Sequence, residues 1–223
     1  MSIRDMLSPA VEDYLKAIFT LQGESSVSTS VLASRLQVSS ASVTKMLKRL
    51  SGLGLVTYMS YKGVRLSEAG EKIALEIVRH HRLLETYLRE IMGYDWEKMH
   101  EEAEHLEHHI SEEFEDRLDK MLGFPTHDPH GHPIPSRDGV MITVASDPLL
   151  ECPDNTPLLV RRVADSNTRV LQKLESLGLL PGASLRISCK KNDMIQITLG
   201  QDQSELHLSN DLAANVFASK EDE

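Results

Sequence analysis

The run His100-Glu101-Glu102-Ala103-Glu104-His105-Leu106-Glu107-His108-His109 leaves few ways to fold. Residues three and four apart share a face on a helix. A helix from Asp95 to His109 puts Met99, Ala103, Leu106 and Ile110 in one apolar stripe. His100, Glu104, Glu107 and His108 then fall on one flank of it, within an arc of about 100°. Nine of the chain's ten histidines lie between His80 and His132, and carboxylates are interleaved with them. Upstream, His81 and Glu85 form an i, i+4 pair beside Ile77, Leu84, Leu88 and Ile91, which read as inward. Imidazole and carboxylate together are the donor set of a divalent transition-metal site. The plain alternative is a pair of solvated helices in an acidic protein.

The segment before this run has a different character. Ser8-Pro9 starts an amphipathic helix over 9–22, with Val11, Tyr14, Leu15, Ile18 and Phe19 at 3.6-residue periodicity. Ser28 caps a short helix carrying Val31, Leu32 and Leu36, and Gln37-Val38 makes a tight turn. Ser39 caps the next helix, which turns Val43, Met46, Leu47 and Leu50 inward and stops near Gly52. Leu55–Ser60 and Val64–Leu66 read as two strands around Tyr61-Lys62-Gly63. Helix, short helix, turn, helix and hairpin is the layout of a winged helix-turn-helix, whose second helix enters the major groove by its N-terminal half. That half carries Ser39, Ala41, Ser42, Thr44 and Lys45, small and hydroxylic side chains that permit close approach to DNA. Lys48 and Arg49 continue the basic face, and Lys62 and Arg65 sit on the wing, suited to phosphate contacts. A three-helix domain with a solvated basic face is the alternative.

Charge separates the two regions. The net charge of −10 argues at first against nucleic acid. Residues 1–72, however, hold nine Lys and Arg against six Asp and Glu, and the remainder holds 15 against 28. The basic excess is confined to the segment that would meet phosphates. Asp13 is a carboxylate beside the core face of the first helix. A metal joining it to the later run would couple metal occupancy to the recognition helix.

Ser67 starts a long helix to about Gly93, and Ser111 starts one that ends at Gly123. Phe124–Gly139, rich in Pro, Asp and Gly, reads as an ordered loop or linker. From Val140 onward short apolar runs alternate as strands do, as in Leu185–Cys189 and Ile195–Leu199, and the polar end Ser219–Glu223 is expected to fray. Cys152 and Cys189 have no CxxC spacing and read as packing residues. There is no HExxH, no nucleophile elbow and no Gly-rich phosphate loop, so an enzyme is not expected. No segment approaches the ~20 apolar residues of a membrane span, and a cytoplasmic protein is expected.

Four stretches carry a family resemblance: Val11-Glu12-Asp13-Tyr14-Leu15, Arg79-His80-His81-Arg82-Leu83-Leu84-Glu85, Glu104-His105-Leu106-Glu107-His108-His109, and Leu174-Glu175-Ser176-Leu177-Gly178-Leu179-Leu180-Pro181-Gly182. The chain resembles the DtxR/MntR family of metal-dependent repressors over nearly its whole length. The resemblance implies a mainly α chain of three parts: a winged helix-turn-helix at 1–72, a helical metal-binding and dimerisation domain with linker at 73–139, and a FeoA-like, SH3-like small β-barrel at 140–223. It implies a primary metal site from Asp13, His81, Glu104, Glu107 and His108. Iron-type members place Met and Cys where Asp13 and Glu104 stand, and hard oxygen donors suit Mn(II). Lys16 stands where some manganese regulators have a glutamate that helps hold a second ion. A secondary site is implied from Glu85, Asp128, His130 and Asp165, with His127 as a rival in the linker and His100 as a further contributor. The implied function is a homodimeric repressor of metal-uptake genes that binds a palindromic operator with Mn(II) as corepressor. Its rivals are an Fe(II)-dependent repressor of the same fold, and a metal-binding protein that never meets DNA.

Overall fold

In a computed structural model, residues 7–23, 25–165, 167–200 and 204–221 are described, except for the side chain of Glu97. The chain divides into two compact units. The first takes residues through His81 together with Glu104–Glu115 and Pro135–Val140; the second takes the rest.

The first unit begins with α1 (Pro9–Leu21), α2 (Thr29–Arg35) and α3 (Ser40–Gly52). Serines set two of the starts. Ser28 Oγ accepts from the Val31 amide, and Ser39 Oγ accepts from the Ser42 amide, each at 3.2 Å, satisfying donors that a helix leaves open at its N-terminus. Pro9 starts α1 through its fixed φ, while Ser8 makes no side-chain cap. The two strands of the wing, β1 (Val56–Met59) and β2 (Gly63–Leu66), pair antiparallel from Val56↔Leu66 to Met59↔Gly63. Gly63 has φ +93°, and a Cβ there would lie 2.6 Å from the Val27 carbonyl oxygen. Only glycine allows that approach, which lets Val27 and Val64 exchange backbone hydrogen bonds of 2.9 Å. Val11, Leu15 and Ile18 of α1 share one core with Leu32, Val43, Leu47, Leu50 and Val64. On the seven-residue α2, Leu32 is fully buried and Val31 is 46% exposed.

Three further helices follow: α4 (Glu68–Glu90), α5 (Trp96–Leu106) and α6 (Glu112–Met121). Ser67 and Ser111 cap α4 and α6 through their hydroxyls. α4 stops at Glu90, so Ile91 lies beyond the helix and is exposed rather than inward. α5 stops at Leu106, and His109 N bonds back to the Leu106 carbonyl in a tight turn. The buried series there is Met99, Ala103 and Glu107, while Leu106 and Ile110 are half-buried.

A buried polar knot braces the first unit. Arg79 Nε donates to Glu115 Oε1 at 2.5 Å, and its Nη1 donates to the Pro135 carbonyl at 2.8 Å. His80 Nε2 lies 2.8 Å from Glu115 Oε2.

The second unit contains β3 (Asp147–Pro148), β4 (Pro157–Val163), α7 (Thr168–Ser176), β5 (Ser184–Lys190), β6 (Met194–Leu199), β7 (Ser204–Ser209), α8 (Asn210–Ala213) and β8 (Val216–Lys220). The strands form one antiparallel sheet in the order β3-β8-β4-β5-β6-β7. Alternation decides what is inside: Leu185, Ile187, Ile195 and Ile197 are buried, and Ile187 pairs with Ile197. The layout is consistent with a small SH3-like domain. Helix is the larger share, 43% against 21% strand, so the expectation of a mainly α chain holds only in part. The end frays less than expected, since Ser219 and Lys220 pair with Leu159 and Leu158 of β4; residues 222–223 lie outside the described residues. No helix among the described residues is long and apolar enough to cross a membrane.

The polar knot yields a stability prediction. Burial would raise the Glu115 carboxyl pKa, but the hydrogen bonds and charges of His80 and Arg79 outweigh it and hold it at about 2. The contribution is therefore present above the ordinary value of 4.5 and lost as pH falls through about 2. Glu115→Ala strands the buried Arg79 and should cost about 3–5 kcal/mol, read by urea unfolding at pH 7. A loss below 1 kcal/mol would show that the knot is not a brace.

Candidate metal centre and nucleic-acid face

Three elements of the first unit converge on one carboxylate. Glu107, fully buried, follows the end of α5. Its Oε2 is 2.5 Å from His81 Nδ1 of α4. Its Oε1 is 2.7 Å from Lys16 Nζ of α1 and 3.6 Å from His108 Nε2. His80 Nδ1 lies 3.2 Å from the Glu107 carbonyl oxygen and fixes the backbone there. On a continued helix residues 107 and 108 would point about 100° apart. The turn after Leu106 brings both to the same place.

His108 spans two carboxylates of α1. Its Nε2 is 3.0 Å from Asp13 Oδ1, and its Nδ1 is 2.5 Å from Glu12 Oε2. Burial would lower the His108 pKa, but hydrogen bonds to Asp13 and Glu12 and the charge of Glu107 outweigh it and raise it to about 9. Donor atoms of Asp13, Glu107 and His108 lie within 4.8 Å of one another. Two oxygens and an imidazole at this spacing fit a divalent cation, and Glu12 on the far ring nitrogen is the outer partner that orients a ligating histidine. The sequence reading missed Glu12. Glu12 is 4% exposed and turns inward to His108, which its local spacing does not reveal.

Glu104 and Lys16 complete the centre. Lys16 Nζ bridges Glu104 Oε1 at 2.8 Å and Glu107 Oε1 at 2.7 Å. Burial would lower the Lys16 pKa, but the charges of Glu107 and Glu104 and their hydrogen bonds raise it above its ordinary value. The ammonium therefore occupies the position of a positive ion between the two glutamates.

A second cluster forms in the second unit. Glu85 Oε1 is 2.9 Å from His100 Nδ1, and Glu85 Oε2 is 3.8 Å from His130 Nδ1. Asp128 is buried, and Arg82 Nε stands 3.5 Å from its Oδ2. Of the four residues expected for a secondary site, Glu85, Asp128 and His130 are buried and Asp165 is partly exposed. His127 instead bonds Thr126 Oγ1 at 3.0 Å, and the donor that lies with Asp128 and His130 is His132. The sequence reading missed His132. Its i, i+4 position relative to Asp128 carries no meaning outside a helix.

On α3, Ser39, Ala41, Ser42, Lys45, Lys48 and Arg49 are exposed, as are Lys62 and Arg65 on the wing. Thr44 is half-buried, and its hydroxyl bonds back to the Ser40 carbonyl at 2.9 Å. Ser39 Oγ is engaged by its capping bond and lies 2.9 Å from Ser42 Oγ. Tyr61, which the sequence reading left out, is fully exposed at the wing tip with φ +65°. An aromatic side chain in a hairpin turn, with no core position to fill, was the signal.

Comparison with known proteins identifies the family. The family described as iron dependent repressor, N-terminal DNA binding domain, matches residues 6–64. The family described as iron dependent repressor, metal binding and dimerisation domain, matches 67–136, and the FeoA domain matches 148–220. The diphtheria toxin repressor of Corynebacterium diphtheriae is 30% identical over 219 residues, 94% of this chain and 96% of that protein. The HTH-type transcriptional regulator MntR of Bacillus pumilus is 38% identical over 120 residues, 53% of this chain and 83% of that one. A solved manganese-dependent transcriptional repressor in complex with manganese superposes with a TM-score of 0.88 at 35% identity, covering 94% of this chain and 99% of that chain. The chain belongs to the iron-dependent, diphtheria-toxin-repressor family, and is a metal-dependent DNA-binding transcriptional repressor rather than an enzyme.

Proposed function

We propose that this repressor responds to Mn(II), with Asp13, His81, Glu104, Glu107 and His108 as its primary ligands and Glu85, Asp128, His130 and Asp165 as a second centre. The observation that carries the reading is the meeting of Asp13 with Glu107 and His108. Asp13 lies on α1, whose apolar face shares a core with α3, so a tie at Asp13 bears on the placement of the recognition helix. A dication there would supply charge neutralisation to carboxylates that otherwise repel. Lys16 and protonated His108 hold the same carboxylates without it. The donors at Asp13 and Glu104 are hard oxygens, which suit Mn(II), and the similar solved repressor is described as manganese-dependent. The second reading, an Fe(II)-dependent repressor of the same fold, is favoured by similarity to proteins named iron-dependent repressor and diphtheria toxin repressor.

Ser39, Ala41, Ser42, Thr44, Lys45, Lys48 and Arg49 would contact the major groove, and Lys62 and Arg65 the backbone at the wing. A homodimer pairs two such faces, which suits a palindromic operator in the cytoplasm. The domain division that goes with this reading is 1–72, 73–139 and 140–223. Genes of metal uptake are the expected targets.

Operator binding, measured by fluorescence anisotropy on duplexes selected from a random pool, should strengthen at least tenfold with Mn(II) over chelator. Equal affinity in both conditions would end the corepressor reading, and a stronger response to anaerobic Fe(II) than to Mn(II) would select the second reading. Asp13→Met with Glu104→Cys should reverse the preference toward Fe(II).

Proton release offers a separate test. The raised His108 pKa means that its contribution to the metal-free fold is complete below 6.5 and is lost as pH rises through about 9. A ligand must shed that proton. Mn(II) affinity should therefore climb with pH from 7 to about 9 and level off above, as followed by calorimetry in two buffers of different ionisation enthalpy. A flat profile would remove His108 from the ligand set.

Lys16 competes for Glu104 and Glu107. Lys16→Met should tighten Mn(II) binding about tenfold, the scale of one nearby charge at high effective dielectric. Weaker binding would make Lys16 a support of the site and not a rival.

A further inference from the structure

The loop from Asp128 to His132 is wound around its own carboxylate. Asp128 Oδ1 accepts from the backbone amides of His130 and His132, each at 2.9 Å. The Gly131 amide donates to the Asp128 carbonyl at 2.9 Å, and the Asp128 amide donates to the His132 carbonyl at 3.0 Å. Gly131 has φ +86°, and a Cβ there would lie 2.0 Å from the Arg161 carbonyl oxygen, so the loop is pressed onto β4 where only glycine fits. The Val163 amide then donates to the His130 carbonyl at 2.9 Å. This winding spends Asp128 Oδ1 on the backbone and leaves Oδ2 without a hydrogen bond, 3.5 Å from Arg82 Nε.

Four buried polar atoms of this loop have no hydrogen-bond partner: Asp128 Oδ2, His130 Nδ1, His130 Nε2 and His132 Nδ1. His130 is fully buried, with its ring packed edge-on against Trp96 at 4.9 Å between centroids. His132 Nδ1 is 3.5 Å from Asp128 Oδ2 and 3.8 Å from Asp165 Oδ2. Each unsatisfied buried group costs about 1–3 kcal/mol, so four together in one loop call for a ligand. Asp128 Oδ2, His132 Nδ1 and one of the two His130 nitrogens can act as lone-pair donors, since a neutral imidazole keeps one N–H. What such a set accepts is a cation. Donor atoms of Asp128, His130 and His132 lie within 4.8 Å of one another, close to the span of about 4.4 Å that two ligands at about 2.2 Å from one ion can reach, so a small side-chain movement would seat an ion.

We infer that His132 is a ligand of the second centre, and that Asp128, His130 and His132 form a three-donor clip, all within one loop, for a divalent transition ion. This rests on the reading of a second centre at Glu85, Asp128, His130 and Asp165, and adds the residue that reading lacked. The clip needs no other element to assemble, because the Asp128 turn holds its donors together. Glu85 and Asp165 approach His130 and His132 from the side. Two imidazoles and one carboxylate are softer than the mainly oxygen set at Asp13 and Glu104, so the clip should prefer Zn(II) over Mn(II). His132 is its solvent-side donor: with Asp128 it lines an open cavity of about 450 Å³, whereas His130 is sealed.

The test uses the full chain. Bound Mn(II) and Zn(II) per chain are measured by mass spectrometry after dialysis against each ion, for wild type, His130→Ala, His132→Ala and His132→Asn. Circular dichroism identifies the folded variants, and His132→Asn, which keeps a polar side chain of similar reach, stands in if His132→Ala does not fold. The expected result is two ions in wild type and one in each variant, with at least a tenfold loss of Zn(II) affinity at the missing site. Loss of the ion from His130→Ala with retention in both His132 variants would overturn the inference and leave the second centre standing. Two ions in every variant, or one in wild type, would overturn both.

Discussion

A carboxylate with no solvent exposure must be paired, and Glu107 is one. An unpaired buried charge costs several kcal/mol, so the chain around Glu107 has no freedom to do otherwise than bring cations and donors to it. Lys16 arrives from α1, His81 from α4, and His80 fixes the Glu107 carbonyl. The first helix of the DNA-binding domain is therefore tied to a segment 91 residues further on by the need to neutralise one side chain. The arrangement that solves a desolvation problem also creates a place where α1 can respond to charge.

Two kinds of polar cluster sit in this chain, and they differ in whether they are closed. The Arg79, His80 and Glu115 knot has its polar groups engaged with one another and with the Pro135 and Glu107 carbonyls, which makes it a brace. The Asp128–His132 loop keeps buried donors without partners, which makes it a receptor. The primary centre lies between these cases. Its carboxylates are satisfied, but by a lysine and a protonated histidine, which the proposed Mn(II) would replace. In the proposed function, competition between proton, ammonium and dication for the same oxygens would be the physical basis of a switch, since any one of them can hold the carboxylates and only some arrangements fix α1.

Local signals made the helix-turn-helix legible. Ser28 and Ser39 cap where the sequence places them, the Val11 to Ile18 periodicity fills the core, and the basic residues of α3 and the wing stay exposed. The strands at Leu185 and Ile195 were equally readable, because a two-residue period survives without knowledge of partners. The first metal cluster was partly legible, as helical spacing placed Glu104, Glu107 and His108 near one another. It could not show that α5 ends at Leu106, that Glu107 and not Leu106 takes the buried position, or that Glu12 turns inward to His108.

The sequence by itself determined which residue types were available and which local elements they would form, since caps, periodicity and glycine turns act over a few residues. Tertiary structure decided which of the many histidines and carboxylates meet. His80 and His81 are neighbours in the chain, yet one joins a structural knot and the other the metal cluster. His127 and His132 flank the same loop, yet only His132 turns toward Asp128, because that loop is wound by backbone bonds to a single carboxylate and pressed against β4 at Gly131. Such convergence depends on contacts distant in sequence and on burial, and neither is written in the spacing of residues along the chain.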